Sequence, residues 1–167
     1  MIQSIPDRIG FRDFRLEHLS DNRCGAVVLL AWPEGDGFIG AAQGDHTETG
    51  RLRCAAEATA RALEQSVNDQ IALDVQEVQT MDVEREQAMN ERDINIVVVL
   101  VSGRVLGEVR LLVGSCLIKD EPPRRAALAV LKATKPINGR RHLLVLRLTS
   151  SLGPEIEQQK RPVDDLA

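Results

Sequence analysis

Tyrosine is absent, and the aromatic residues are Phe11, Phe14, Phe38 and Trp32 alone. A core must therefore be built from Leu, Val, Ile and Ala. Proteins that hold single-stranded nucleic acid stack bases on aromatic rings, so the composition speaks against that class. A basic excess is missing too: the formal net charge is −4, which argues against a polyanionic partner. Cysteine is sparse. Cys24, Cys54 and Cys116 lie far apart without a C-x-x-C pair, so neither a metal framework nor a disulfide framework can be read, and buried reduced thiols are expected. The longest apolar runs, such as INIVVVLV at 94–101, are too short to cross a bilayer. MIQSIPDRIGFRDFR has no apolar stretch of the kind a secretory signal needs. The expectation is a cytoplasmic chain with no membrane and no nucleic-acid partner.

Chemical signatures are missing as well. There is no G-x-x-x-x-G-K-[ST] phosphate loop, and GDGFIG lacks the strand-then-helix setting of a dinucleotide loop. No serine or cysteine nucleophile motif is present. No cofactor and no metal are expected, and the chain is read as a non-enzyme.

What is present is an ordinary globular composition: 167 residues, 43% apolar and 28% charged. That suits one domain, or two small halves sharing a core. FRDFRLEHL (11–19) alternates as a half-buried strand, and SDNRCG is a turn. AVVLLAW (26–32) reads as a central strand closed by Pro33. PEGDG is a hairpin turn, and FIGAAQG returns as a strand. A helix is predicted from about Thr49 to Val67, with Leu52, Ala55, Ala56, Thr59 and Leu63 on one face. IALDVQEV (71–78), INIVVVLVS (94–102) and VRLLVGSCLI (109–118) are further strands. A second helix is predicted to start near Asp120, capped by that aspartate and with Pro122 and Pro123 in its first turn. Pro136 ends it. Asn138–Gly139 signals a turn, HLLVLRLT (142–149) a closing strand, and residues 150–167 a disordered tail.

The elements repeat. VVLLAW at 27–32 precedes VVVLVS at 97–102 by 70 residues, and CAAEATARAL at 54–63 precedes RAALAVLKAT at 125–134 by 71. The predicted organisation is a lead-in over 1–10, a first strand-strand-strand-helix repeat over 11–70, and a second over 71–149 that includes the closing strand. The fold class is α+β: a duplicated β-β-β-α unit, a mainly antiparallel sheet, and two helices packed on one face. The helices differ. Glu57 and Ala60 of the first correspond to Leu128 and Leu131 of the second, so the second is apolar nearly all round. Such a helix is buried on more than one side, inside the chain's own core or against a second subunit. Leu128, Val130 and Leu131 are the candidate interface residues.

GDHTETG (44–50) is the most chemical-looking string. Asp45, His46 and Glu48 are the residue types of acid–base or metal work, but residues this close in sequence rarely converge on one point. Helix capping by Thr47 or Asp45, with Glu48 at the positive end of the helix dipole, is the simpler account. The two strand-to-helix corners supply the candidate ligand-binding residues Asp45, His46, Thr47, Lys119 and Asp120. Arg124, Arg125, Lys132, Lys135, Arg140 and Arg141 form a basic group about the second helix, read as a solvated face.

The doubled unit resembles the C-terminal regulatory domain of 2-isopropylmalate and citramalate synthases, and LLVGSCLIKDEPPRRAALAVLKAT is similar to the strand and helix that end that domain. The same stretch resembles a bacterial domain family of uncharacterised function, with Gly114, Ser115 and Asn138 at matching places. The resemblance implies a regulatory domain that binds an end-product amino acid near a subunit interface. No catalytic barrel accompanies it here, and the strand at 142–149 is a departure. The functional expectation is a non-catalytic module that self-associates, as a homodimer, and serves interaction or regulation with a possible protein partner. The alternative is a sensor for an amino-acid-like metabolite.

Overall fold

The structure, a computed structural model, describes residues 8–67, 69–83, 94–135 and 137. The fold is α+β, with two three-stranded antiparallel sheets, each followed by a helix. β1 (Gly10–Leu19), β2 (Arg23–Ala31) and β3 (Gly37–Asp45) form the first sheet in that order, followed by α1 (Glu48–Ser66). β4 (Ile71–Val83), β5 (Ile94–Val105) and β6 (Glu108–Leu117) form the second, followed by α2 (Pro122–Thr134). The expected sheet is thus divided into two, each covered on one face by its own helix. The helices also pack on each other, and one apolar cluster unites both units.

The repeat holds at the level of strand register. Val28 pairs with Gly40 on one side and Phe14 on the other, and Val99 pairs with Gly114 and Val78 in the same way. β2 and β5 therefore correspond at an offset of 71, not 70. The difference matters because a one-residue slip exchanges the two faces of a strand. At 71, the fully buried Val28 falls on the fully buried Val99. The ladder irregularities also correspond: the break between Phe11 and Asp13 in β1 lies opposite the same part of β2 as the break between Val75 and Glu77 lies opposite β5. Each places an extra residue, Arg12 or Gln76, at the same point of the unit, which bends both first strands alike.

Turns distinguish the copies. β1 and β2 join through Ser20, Asp21 and Asn22, the last two with positive φ. Such conformations suit Asp and Asn, whose short polar side chains tolerate the left-handed region. β5 and β6 join through two residues, Leu106 and Gly107, both with positive φ. The β2–β3 connection runs from Trp32 to Asp36, which hydrogen-bond to each other through Trp32 N–H and the Asp36 carbonyl at 3.0 Å.

Each helix lies close on its sheet because the residues between them are small. A side chain at Gly40 would overlap the Ala58 carbonyl and the Ala62 amide of α1, and one at Gly114 would overlap Ala129 and Ala133 of α2. Glycine on the strand and alanine four residues apart on the helix bring backbone against backbone. Thr59 and Thr134 are buried hydroxyls, satisfied by the carbonyls of Ala55 and Val130 at 2.8 and 2.9 Å. Among the described residues no helix is long and apolar enough to cross a membrane. The turn at 138–139, the strand at 142–149 and the tail lie outside the described residues, as do Arg140 and Arg141.

Candidate functional site

The corner between β3 and α1 is a helix cap. Thr47 is the N-cap residue, and its hydroxyl accepts the Gly50 N–H at 3.0 Å. Glu48 stands in the first turn, where a carboxylate meets the free amides of the helix start. The corner is anchored to the first hairpin by His46 N–H donating to the Asn22 carbonyl at 2.8 Å. The His46 ring meets His18 edge-on, with centroids 4.2 Å apart. Loss of solvent, then the charges of His18 and Arg51, hold the His46 imidazole below its ordinary value of 6.5. His46 Nδ1 and Arg51 Nε are buried without a hydrogen-bond partner among the described residues. The helix cap thus has the His46 imidazole, packed on His18, behind it.

The second corner is built differently. The N-cap position of α2 is Glu121, which makes no side-chain cap bond, and Pro122 and Pro123 open the helix. Asp120 is therefore not the cap that the sequence suggested. Its carboxylate accepts from Nε and Nη2 of Arg125, at 2.5 and 2.7 Å, with Arg124 at 3.7 Å. Two arginines four and five residues ahead compete successfully for its oxygens, because a bidentate charged pair is stronger than a single cap bond. Lys119 is exposed. No hydrogen bond or ion pair among the described residues joins Asp45, His46 and Thr47 to Lys119 and Asp120. No group of three His, Cys, Asp or Glu side chains among them suits a metal.

The Cys54 thiol is a poor nucleophile. All three cysteines are free and buried. Cys24 and Cys54 sulfurs lie 3.5 Å apart, and burial, with the Cys24 hydrogen bond second, pushes the Cys54 thiol up to about 12. A thiol that stays protonated at neutral pH is inert.

The leucines of α2 divide in an unexpected way. Val130 is fully buried inside the core, so it presents nothing to a partner. Leu128 and Leu131 are half-buried and line a cavity of about 310 Å³ with Ile9 and Cys116. A larger cavity, about 470 Å³ and mostly polar, lies between the start of α1 and β4, from Glu48 and Arg53 to Gln76 and Thr80.

Most of the exposed large hydrophobics among the described residues lie on one surface, the outer face of the β4–β5–β6 sheet. Val109, Leu111, Val113 and Leu117 alternate along β6 and are exposed, Leu111 by 68% and Val113 by 66%. Across the sheet Leu117 pairs with Ile96 and Ile96 with Met81, while Val113 pairs with Leu100. Glu77, Asp74 and Gln79 on β4 give this face one polar border. The same face of the first sheet differs in composition. Where the second sheet has Leu117, Ile96 and Met81 in one row, the first has Gln43, Gly25 and Glu17. Where the second has Leu111, the first has Gly37. Sequence reading marked β6 as a strand and passed over this face. The signal was there: VRLLVGSCL is apolar at odd positions as well as at the even ones that face α2, so both faces of the strand are greasy.

No protein-family model matches the chain, and no curated protein matches it.

Proposed function

We propose that the chain is a non-catalytic interaction or regulatory module that self-associates through the outer face of the β4–β5–β6 sheet. The observation that carries this reading is the contrast between the two units. They share register, ladder breaks and helix packing, so their outer faces are comparable position by position. The first is small or charged where the second carries exposed Leu111, Leu117 and Met81. Contiguous exposed apolar surface of this kind marks an interaction site.

The partner that fits is a second copy. Strands of 10 to 13 residues, at a rise of ~3.3 Å and a spacing of ~4.8 Å, give a face on the order of 500 Å² in projection. Two such faces packed together bury on the order of 1,000 Å², where specific interfaces begin. Sheets pack face to face over interdigitated side chains, and a shared patch on both subunits closes a two-fold dimer without leaving the patch open to a third. Sedimentation of the intact chain against Leu111→Lys tests it. A wild-type dimer and a monomeric variant with unchanged circular dichroism are expected. A wild type that stays monomeric as its concentration is raised overturns the proposal.

A further inference from the structure

We propose that the seam between α2 and the start of β1 binds a small carboxylate with an aliphatic body. The two units exchange contacts across the molecule: α1 rests on β4 of the second unit, and α2 touches β1 of the first. At the α1–β4 seam Arg53 donates to the Val75 carbonyl at 2.8 Å, and Glu64 accepts the Leu73 N–H at 2.6 Å. A protein carboxylate thus satisfies a strand amide near the C-terminal end of α1, while the polar cavity lies at that helix's start.

The mate seam has Arg124 in place of Arg53, Phe11 in place of Val75, Ile9 in place of Leu73 and Lys135 in place of Glu64. Arg124 meets the equivalent strand residue differently, over the Phe11 ring at 5.7 Å from its centroid. Lys135 cannot keep the part of Glu64, because an ammonium accepts no hydrogen bond. Beside Lys135 lies the cavity of about 310 Å³, a volume at the lower end of small-molecule sites.

Its lining matches one kind of occupant. Ile9, Leu128 and Leu131 give it an apolar wall, and the charged lining residues are Arg8, Arg125, Lys132 and Lys135. Among the described residues the lining contains no carboxylate, in a chain whose formal net charge is −4. Asp120 neutralises Arg125, while Arg8, Lys132 and Lys135 make no ion pair with another described residue. A bound carboxylate supplies the acceptor that Glu64 supplies in the other seam, and its hydrocarbon part covers Leu128 and Leu131, which replace Glu57 and Ala60 of α1. Among the described lining residues an α-ammonium would meet cations and no carboxylate, so simple acids are selected over amino acids.

Thermal unfolding of the intact chain tests this with 4-methylpentanoate, leucine, 4-methylpentylamine and inorganic phosphate, each on the order of 10 mM. At ten times its Kd, 4-methylpentanoate is expected to raise Tm by about 4 °C, phosphate less, and leucine and the amine not at all. Lys135→Glu restores the Glu64 arrangement and is expected to abolish the response without lowering the variant's own Tm. Lys132→Gln, at an exposed position, is expected to weaken it. No shift with 4-methylpentanoate, or an equal shift in Lys135→Glu, overturns the proposal. An equal shift with phosphate overturns the aliphatic selectivity, and one with leucine the selection against an ammonium. None of these outcomes depends on whether the β4–β5–β6 face self-associates.

Discussion

Gly40 and Gly114 hold the same place in the two units. Each pairs with a fully buried valine of the neighbouring strand, Val28 or Val99, and each faces the backbone of two alanines four residues apart on its helix. The backbone contact between strand and helix is the device that the duplicated unit uses twice. It explains the alanine content of both helices, since any larger residue at Ala58, Ala62, Ala129 or Ala133 would lift the helix off the sheet.

Gly40→Ala and Gly114→Ala should each destabilise the chain by about 3 kcal/mol, the range of overpacking in a close-packed site. Gly10→Ala is the control: an added Cβ there comes no nearer than 3.9 Å to other atoms, and the change should cost less than ~1 kcal/mol. Urea unfolding of the three variants measures this. Equal costs would show that the close approach is not what the glycines serve.

Leu106 stands at φ 50° in a two-residue turn, with Gly107 at φ 82°. Both central residues of such a turn need positive φ, and Asn-Gly is the preferred pair. Leu106 is 61% exposed, so its side chain gives little burial in return. Leu106→Asn is expected to stabilise by about 0.5–1 kcal/mol, seen as a higher urea midpoint with an unchanged slope.

His46 makes stability depend on pH. Its folded-state pKa lies below the ordinary 6.5 because of lost solvent, His18 and Arg51. The unfolded chain therefore binds its proton first as pH falls. This contribution is fully present above 6.5 and is lost as pH drops through 6.5 toward the folded value. His46→Gln should flatten the fall of Tm on that side of neutrality. A variant with the wild-type slope would show that the imidazole is not its source.

Much of this organisation was legible in the chain. The helices align at 71 residues because alanine spacing on a buried face is regular, and the three-strand order follows from the turn residues. The phase of β2 against β5 was off by one because AVVLLA and INIVVVLV are apolar on both faces, leaving no alternation to set it. The first strands correspond at a different offset, Phe14 with Val78, because ten residues separate β4 from β5 and only three separate β1 from β2. Thr47 was readable as a cap because a threonine three residues before Gly50 has a local partner. Asp120 was misread because its arginine partners lie within the helix it was expected to cap. The seam cavity was not legible, since it depends on α2 meeting a strand more than a hundred residues earlier in the chain. The outer face of the second sheet became meaningful only when set against the first.

The most direct test compares two residues in equivalent places. Val113 and Ile39 hold the same position on the outer faces of the two sheets, each opposite a leucine, Leu100 or Leu29, and are 66% and 58% exposed. Sedimentation equilibrium of Val113→Lys and Ile39→Lys asks whether the second face alone joins copies of the chain. The predicted result is a monomer for Val113→Lys and a wild-type dimer for Ile39→Lys. A dimer that survives Val113→Lys, or is lost equally in both, would contradict the account.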